Sequence, residues 1–211
     1  MPRRPSTAKT ESANSKPAPE RSRELVDVAA RLFRDRGYDA TSMQEIADEM
    51  GILKGSVYHY VRTKEDLLWM VVEPPLRELV DTARRILEDE SIPVVDRLGQ
   101  AMEAHARSFE VHYPHMFVIT RENGETLSPK RREEFDAMRD EYFKIWRAAV
   151  LQGRRSGELR DDTDVRNTVQ AIFGMLNWMS RWFTPGRRSS AGDVARDFAT
   201  ILARGIATSS R

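Results

Sequence analysis

The stretch TSMQEIADEMGILKGSVYHYVRTKEDLL, residues 41–68, decides the fold of this chain. It predicts a short helix that starts at Ser42 with a capping-box spacing, ends at Gly51 and is followed by a second short helix. Two helices that cross closely need a small residue in the first, a turn residue that tolerates positive φ, and an aliphatic residue in the second. Ala47, Gly51 and Val57 occupy these positions, so the stretch predicts a helix-turn-helix.

Helical periodicity continues on both sides of this motif. Upstream, apolar residues recur at helical spacing from about Ser22 until Gly37, which is the expected C-terminal stop. Downstream, Thr63 begins a further helix with a second capping pattern, and Pro74-Pro75 is expected to kink or restart that helix. The motif therefore lies within a run of four predicted helices.

The rest of the chain is also predicted to be helical. Helices are expected to follow Pro93, Pro114 and Pro129, and two more are expected over about residues 162–183 and 190–207. No segment alternates polar and apolar residues over a useful strand length. The sequence therefore predicts an all-α protein of about nine helices.

Composition excludes several classes of protein. The chain has 211 residues, of which 40% are hydrophobic and 32% charged, as in a globular helical protein. It has no cysteine, which excludes disulfides and thiolate metal sites and favours a reducing, cytoplasmic location. No apolar run approaches the roughly 18 residues of a membrane span, and the polar N-terminus does not predict a secretory signal. The net charge is +1, but residues 51–64 hold three basic residues, one histidine and no acid, a local patch suited to a polyanion.

Residues 21–70 resemble the DNA-binding domain of the TetR family of bacterial transcriptional regulators. That family carries a Thr before an Ile-Ala pair, a recognition helix of the form G-V-S-K-G-T-L-Y and an S-K-E-x-L start to the fourth helix. The corresponding segments here are TSMQEIA, GILKGSVY and TKEDLL. Leu53 stands where the family usually caps the recognition helix with Ser, and Val61 stands where it usually has Phe.

Composition and this resemblance divide the chain into three predicted segments. Residues 1–20 are predicted to be a disordered basic arm, which is either a solvated tail or a source of non-specific affinity for DNA phosphates. The resemblance implies a helix-turn-helix DNA-binding domain of three helices over residues 21–67. It also implies a larger helical ligand-binding and dimerisation domain over residues 68–211. A homodimer formed by the last two helices would bind double-stranded DNA at a near-palindromic operator.

The recognition helix is expected to carry most of the DNA contacts. Two valines face the neighbouring helices, which leaves Tyr58 and His59 on the groove-facing side, where they can contact a phosphate or a thymine methyl group. Tyr60 is open between packing and phosphate contact, and Ser56 between a plain helix cap and a DNA contact.

Further contacts are expected on the flanks of this helix. Thr41 and Ser42 are predicted to cap the preceding helix and to contact phosphate, and Lys64 is predicted to meet phosphate at the start of the fourth helix. The predicted DNA-contacting residues are Thr41, Ser42, Lys54, Gly55, Ser56, Tyr58, His59, Tyr60 and Lys64.

The segment GMLNWMSRWFTPG, residues 174–186, is the most unusual part of the C-terminal region. Its two tryptophans and a phenylalanine would expose a large apolar area on a solvent-facing helix, so something must cover them. A dimer partner is one answer, and a ligand-pocket role for Asn177, Trp178 and Arg181 is another. Together with the recognition helix, this segment resembles TetR regulators that sense CoA thioesters in fatty-acid, aromatic or steroid catabolism. The implied effector is an acyl-CoA, whose phosphates arginines would bind.

Methionine and aromatic residues on the middle helices are further pocket candidates, although such a stripe is also typical of a plain core. The predicted ligand-binding residues are Met102, His105, Phe109, Phe117, Met138, Trp146, Phe173, Asn177, Trp178 and Arg181. No acid or cysteine completes a metal site around the three clustered histidines, so no metal or cofactor is predicted.

The sequence does not predict an enzyme, because it has no G-x-S-x-G, no H-E-x-x-H and no glycine-rich phosphate loop. It predicts a ligand-responsive transcriptional regulator, for which the resemblance favours repression. The alternative is an architectural or constitutive DNA-binding protein without effector control.

Overall fold

The structure, a computed structural model, describes residues 18–122, 124–187 and 189–208. Within these ranges the chain forms nine helices and no strand, which confirms the all-α prediction. The helices are α1 (Ala18–Arg36), α2 (Met43–Glu49), α3 (Lys54–Val57), α4 (Lys64–Leu87), α5 (Val94–Val111), α6 (His115–Arg121), α7 (Pro129–Ser156), α8 (Val165–Trp182) and α9 (Ala191–Ile206). The predicted arm, residues 1–20, lies outside the described part up to residue 17. Its last residues belong to α1, which begins earlier than the predicted Ser22.

Capping boxes start α2 and α4 where the sequence predicts them. The Ser42 hydroxyl accepts from the Glu45 N–H at 3.2 Å, and the Glu45 carboxylate accepts from the Ser42 N–H at 2.8 Å. The equivalent distances between Thr63 and Asp66 are 3.0 and 2.8 Å. Each box satisfies two backbone N–H groups that the helix itself leaves without partners.

The first three helices and the start of α4 enclose an N-terminal core. Ala47 and Val57 are both fully buried where α2 meets α3. Gly51 has φ +65°, a left-handed conformation that costs glycine less than any other residue. The small, turn and aliphatic positions of the predicted motif therefore have the environments that the helix-turn-helix requires.

Helix α4 is continuous across Pro74 and Pro75, so the predicted restart at these prolines is wrong. Each proline removes one backbone N–H from the helical ladder, but buried residues on both sides hold the helix together. The first half of α4 belongs to the N-terminal core and the second half to the C-terminal core. The predicted boundary between residues 67 and 68 thus falls inside a single helix.

The C-terminal core is formed by the second half of α4 with α5, α7, α8 and α9. Trp146, Met102 and Phe109 are completely buried in it, and α5 lies against α9. None of the described helices is long and apolar enough to cross a membrane. This core positions residues of α5, α7 and α8 around a cavity.

Candidate DNA interface and ligand cavity

The recognition helix α3 is short and exposes its outer surface. Leu53 occupies the N-cap position without a side-chain hydrogen bond and is 80% exposed. Lys54, Gly55 and His59 are exposed as well, and Tyr58 is 46% exposed. Tyr58 and His59 follow the last helical residue and lie in a turn, which the Val61 N–H closes onto the Val57 carbonyl at 3.2 Å.

The remaining predicted DNA contacts differ in how exposed they are. Ser42 is exposed at the start of α2, and Ser56 is half-buried in α3. Tyr60 is half-buried and packs against the N-terminal core, so part of its ring has the packing role that the sequence left open. Ser42, Ser56 and the exposed part of Tyr60 are therefore accessible for the predicted DNA contacts.

Two side chains that were predicted to contact phosphate bind the protein's own backbone instead. Thr41 is 1% exposed, and its hydroxyl donates to the Gly37 carbonyl at 2.8 Å, so it neither caps α2 nor reaches the surface. The Lys64 ammonium donates to the Tyr38 and Thr41 carbonyls, each at 2.8 Å, and lies 4.1 Å from the centre of the Tyr38 ring. Both side chains therefore fix the loop between α1 and α2.

A cavity of about 860 Å³ lies among helices α4 to α8. Its apolar wall includes Leu76, Leu79, Met116, Ile119, Phe143 and Phe173. Its charged rim includes Glu122, Asp136, Arg139, Asp140 and Arg166. The combination of an apolar interior and a charged rim suits an amphipathic ligand.

The structure brings only part of the predicted ligand set to this cavity. His105, Phe173 and Asn177 line it, whereas Met102, Phe109 and Trp146 are buried in the core behind it. Phe117 and Met138 are half-buried against the core and are not part of the lining. The ligand-binding prediction was therefore wrong for these five residues, three of which lie in the core and two of which pack against it. A methionine or aromatic stripe faces whatever packs on its helix.

Trp178 and Arg181 are also corrected, because they lie on the outer surface of α8. Trp178 is 63% exposed, and the Arg181 guanidinium lies 5.9 Å from the centre of its indole ring. Trp182 and Ile201 are 50% and 63% exposed, so the last two helices together present large apolar side chains to solvent. The predicted exposure of the tryptophan-rich segment is therefore observed for its two tryptophans, whereas Phe183 is buried.

The cavity residues that the sequence did not reveal include Arg139, Arg166 and Tyr142. An arginine on an amphipathic helix is by default a solvated residue, so the two arginines carry no local signal. Tyr142 lies on the apolar stripe of α7, where it resembles any core residue. Only the convergence of several helices identifies these side chains.

A polar pair lies at the inner wall of the cavity. His105 is 3% exposed, and its Nδ1 lies 2.9 Å from the Tyr142 hydroxyl. Burial lowers the pKa of His105 to about 4, an effect that the nearby Asn177 side chain partly offsets. Burial also raises the pKa of Tyr142 above its ordinary value, so both groups are neutral near pH 7.

The start of α4 is joined to the start of α7 by charged hydrogen bonds. Arg131 lies 2.6 Å from an Asp66 oxygen and 3.4 Å from a Glu65 oxygen. The same Glu65 oxygen accepts from the Ser128 N–H at 3.0 Å. The Ser128 hydrogen bond, followed by the Arg131 charge, lowers the pKa of Glu65, and the Arg131 hydrogen bond lowers that of Asp66. We call this set the α4–α7 latch.

Two family matches cover most of the chain. Residues 25–69 match the family described as bacterial regulatory proteins, tetR family. Residues 91–206 match the family described as tetracyclin repressor-like, C-terminal domain. The two matches correspond to the helix-turn-helix and to the helices around the cavity.

Three relatives illustrate the likeness. The HTH-type transcriptional repressor KstR2 of Mycolicibacterium smegmatis is 34% identical over 92% of this chain and 94% of its own length. The solved structure of the ketosteroid transcriptional regulator KstR2 of Mycobacterium tuberculosis has a TM-score of 0.84 at 28% identity, covering 89% of this chain and 95% of its own. AibR, solved with isovaleryl coenzyme A and operator DNA, has a TM-score of 0.74 at 27% identity, covering 86% of this chain and 97% of its own.

The exposed recognition helix, the ligand-sized cavity and these matches agree with one another: the chain belongs to the TetR family of bacterial regulatory proteins and is a helix-turn-helix transcriptional regulator, not an enzyme.

Proposed function

We propose that the protein is a repressor that binds a near-palindromic operator as a homodimer and is released from it by an acyl-CoA thioester. The observation that carries this proposal is that the helix-turn-helix and the cavity share α4. A ligand that displaces Leu76 or Leu79 on this helix would move the same element that supports the recognition helix. The effector thereby favours one orientation of the DNA-binding domain over another.

The proposed operator contacts come from the exposed face of the helix-turn-helix. Tyr58 would contact a phosphate through its hydroxyl group or a thymine methyl group through its ring, and His59 would donate to phosphate. The backbone at Lys54 and Gly55 would approach the DNA closely because no side chain intervenes at Gly55. Ser42, Ser56 and the exposed part of Tyr60 would add contacts beside them.

The proposed dimer interface is formed by α8 and α9. Trp178, Trp182 and Ile201 are each at least half exposed on these helices, and a lone subunit would leave their apolar area in water. A two-fold pairing of this face would cover the same residues on both subunits. It would also set the distance between recognition helices, which must match half-sites about 34 Å apart.

The proposed effector class is inferred from the residues that line the cavity and from the ligand of a protein of similar fold. An apolar interior accepts an acyl chain, and Arg139 and Arg166 at the rim can bind phosphate. Arg139 also lies 3.9 Å from Asp136, whereas Arg166 makes no ion pair within the described part of the chain. Arg166 is therefore the better candidate for a CoA phosphate. AibR, of similar fold, was solved with an acyl-CoA.

The test is release of the protein from its own promoter. We expect acyl-CoA thioesters to weaken binding of the full chain to that DNA and to raise its melting temperature without DNA. Replacement of Arg166 by Gln should weaken the response to thioesters, while Arg147→Gln, on an exposed residue of α7 outside the cavity lining, should not. Promoter binding that no thioester alters would contradict the effector class and favour a constitutive DNA-binding protein.

A further inference from the structure

Leu53 exposes its side chain directly before the recognition helix α3. It is 80% exposed, more than any other large apolar side chain in the part of the chain that the structure describes. Its carbonyl accepts from the Ser56 N–H at 2.8 Å and so closes the first turn, a bond that the backbone of any residue can make. The stability of the fold therefore does not explain a leucine at this position.

A leucine here also leaves the recognition helix without a side-chain cap. Residues at an N-cap are usually Ser, Thr, Asp or Asn, because their side chains accept from a backbone N–H of the first turn. Ser42 and Thr63 make this bond at the starts of α2 and α4, whereas Leu53 makes none at the start of α3. Of these three helices, only the recognition helix lacks this stabilising bond.

Gly55 shows the same pattern two residues later. Its φ is not positive, and a Cβ atom there would meet nothing within 4 Å. Neither the backbone conformation nor the packing of the protein requires glycine, which is less stable than alanine inside a helix. An uncapped leucine and this glycine together indicate a surface that a partner approaches closely.

The major groove of DNA offers one group that suits Leu53. In helix-turn-helix complexes the N-terminal residues of the recognition helix contact the base edges in this groove, where the thymine methyl group is the apolar feature. We propose that Leu53 contacts the methyl group of a thymine in each half-site of the operator, and that Gly55 permits the close approach that this contact needs. This inference rests on the proposed operator binding and adds a specificity-determining residue to it.

The chemistry of leucine excludes the other groups within reach. Its side chain neither donates nor accepts a hydrogen bond, so a phosphate or a polar base edge would lose its hydration against Leu53 without a replacement bond. A thymine methyl group gains free energy when it leaves water for an apolar surface. Lys54, the exposed neighbour, remains available for the polar groups beside that thymine.

The experiment removes single methyl groups from the DNA. The promoter fragment that the full chain protects from nuclease is synthesised with each thymine in turn replaced by deoxyuridine, which keeps every hydrogen-bonding group of thymine. Fluorescence anisotropy measures the dissociation constants. We expect one thymine in each half-site at which the replacement weakens wild-type binding about fourfold, and about fifteenfold when both are replaced, as burial of a methyl group predicts.

Three variants assign the contact. Leu53→Ser should bind the thymine and deoxyuridine duplexes equally well, while its new helix cap raises the melting temperature. Leu53→Met keeps an apolar side chain and should retain most of the preference for thymine. Tyr58→Ala should bind every duplex more weakly but keep the preference at these two thymines, which separates Leu53 from the nearby tyrosine ring.

A fourth variant, Gly55→Ala, tests the close approach. It should raise the melting temperature, because the added Cβ atom meets nothing in the protein. It should also weaken binding to every duplex severalfold, because that atom holds the recognition helix away from the DNA. Unchanged promoter affinity in Gly55→Ala would overturn the proposed role of Gly55.

The remaining outcomes separate this inference from the proposed function. A wild type that binds every deoxyuridine duplex as tightly as the thymine duplex would overturn the inference and leave operator binding intact. An equal preference for thymine in Leu53→Ser and in the wild type would assign the methyl contact to another residue and overturn it as well. A wild type that does not bind its promoter would contradict the proposed function itself, and this inference with it.

Discussion

Tyr58 and Tyr60 are two residues apart and differ in burial. Tyr58 is 46% exposed beyond the end of α3, whereas Tyr60 is half-buried against the N-terminal core. Replacement of Tyr58 by Ala should therefore weaken operator binding by about 1–3 kcal/mol, the contribution of a good contact at a base or phosphate. Fluorescence anisotropy with promoter DNA measures this loss, and the melting temperature should not change.

Tyr60→Ala is the matched control for that substitution. Because the Tyr60 ring packs on the core, its removal should lower the melting temperature by several degrees. Unfolding of the Tyr58 variant, or unchanged promoter binding by it, would contradict the proposed role of Tyr58.

His105 makes the stability of the fold depend on pH. Its pKa is about 4 in the folded protein and 6.5 in an exposed histidine, so the unfolded chain takes up a proton between these values that the folded chain does not. Stability should therefore fall as the pH drops from about 6.5 to about 4, by up to about 3 kcal/mol. Tyr142, which faces the ring, remains neutral throughout this window.

Urea unfolding of the wild type and of His105→Gln at pH 7 and pH 4.5 isolates this contribution. Other carboxylates and histidines titrate in both proteins, so only the difference between their losses belongs to His105. The variant should lose less stability than the wild type when the protein concentration is the same. An equal loss in both proteins would contradict the assignment.

Single residues were predictable from the sequence only where their neighbours are close in the chain. The exposure of Tyr58 and His59 follows from the helical position of Val57, which lies one and two residues away. The predicted role of Thr41 was wrong because its hydroxyl donates to the Gly37 carbonyl within its own loop. The predicted role of Lys64 was wrong because its ammonium donates to the Tyr38 and Thr41 carbonyls, 26 and 23 positions earlier in the chain. No local pattern records such a contact.

At the scale of the element, glycines have two different roles in these helices. Gly153 lies inside α7, and a Cβ atom there would meet Val94 Cγ1 at 2.4 Å and Leu159 Cγ at 2.7 Å. Gly99 lies inside α5, where a Cβ atom would meet Ala199 Cβ at 3.6 Å, an ordinary contact. The first glycine permits close packing, and the second has no such requirement.

Alanine substitutions at these two positions should therefore have opposite signs. Gly153→Ala should destabilise the protein by about 1–3 kcal/mol, because the clash involves buried side chains. Gly99→Ala should stabilise it by about 0.5–1 kcal/mol, because alanine loses less conformational entropy in a helix. Chemical denaturation measures both values, and a stabilised Gly153→Ala variant would contradict the packing argument.

The same distinction explains how well helix boundaries were predicted. Caps such as Ser42 and Thr63 act within one turn, so the starts of α2 and α4 were predictable. The end of α7 shows the limit of such signals, since Gly153 lies inside the helix, which continues to Ser156 and ends at Gly157 with φ +79°. The sequence alone does not distinguish a glycine that ends a helix from one that permits close packing of a neighbouring residue.

At the scale of the whole molecule, the cavity and the recognition helix are connected by more than α4. The α4–α7 latch joins the first turn of α4 to the first turn of α7. Further along α7, Asp136, Arg139 and Asp140 line the cavity rim. These links bring together residues more than 60 positions apart, which is why the sequence pointed to α4 as the connection but did not predict the latch.

Loss of the latch should uncouple effector binding from DNA release. Arg131→Gln removes the charge that holds Glu65 and Asp66, so the DNA-binding domain would no longer follow α7 when the cavity fills. The ratio of promoter dissociation constants with and without a saturating effector should fall by about five- to tenfold, within the usual range of coupling energies. Lys130→Gln removes the same charge from the exposed neighbouring residue and should leave the ratio unchanged. A normal ratio in Arg131→Gln would mean that the signal passes through α4 alone, and an equal fall in both variants would assign the effect to net charge.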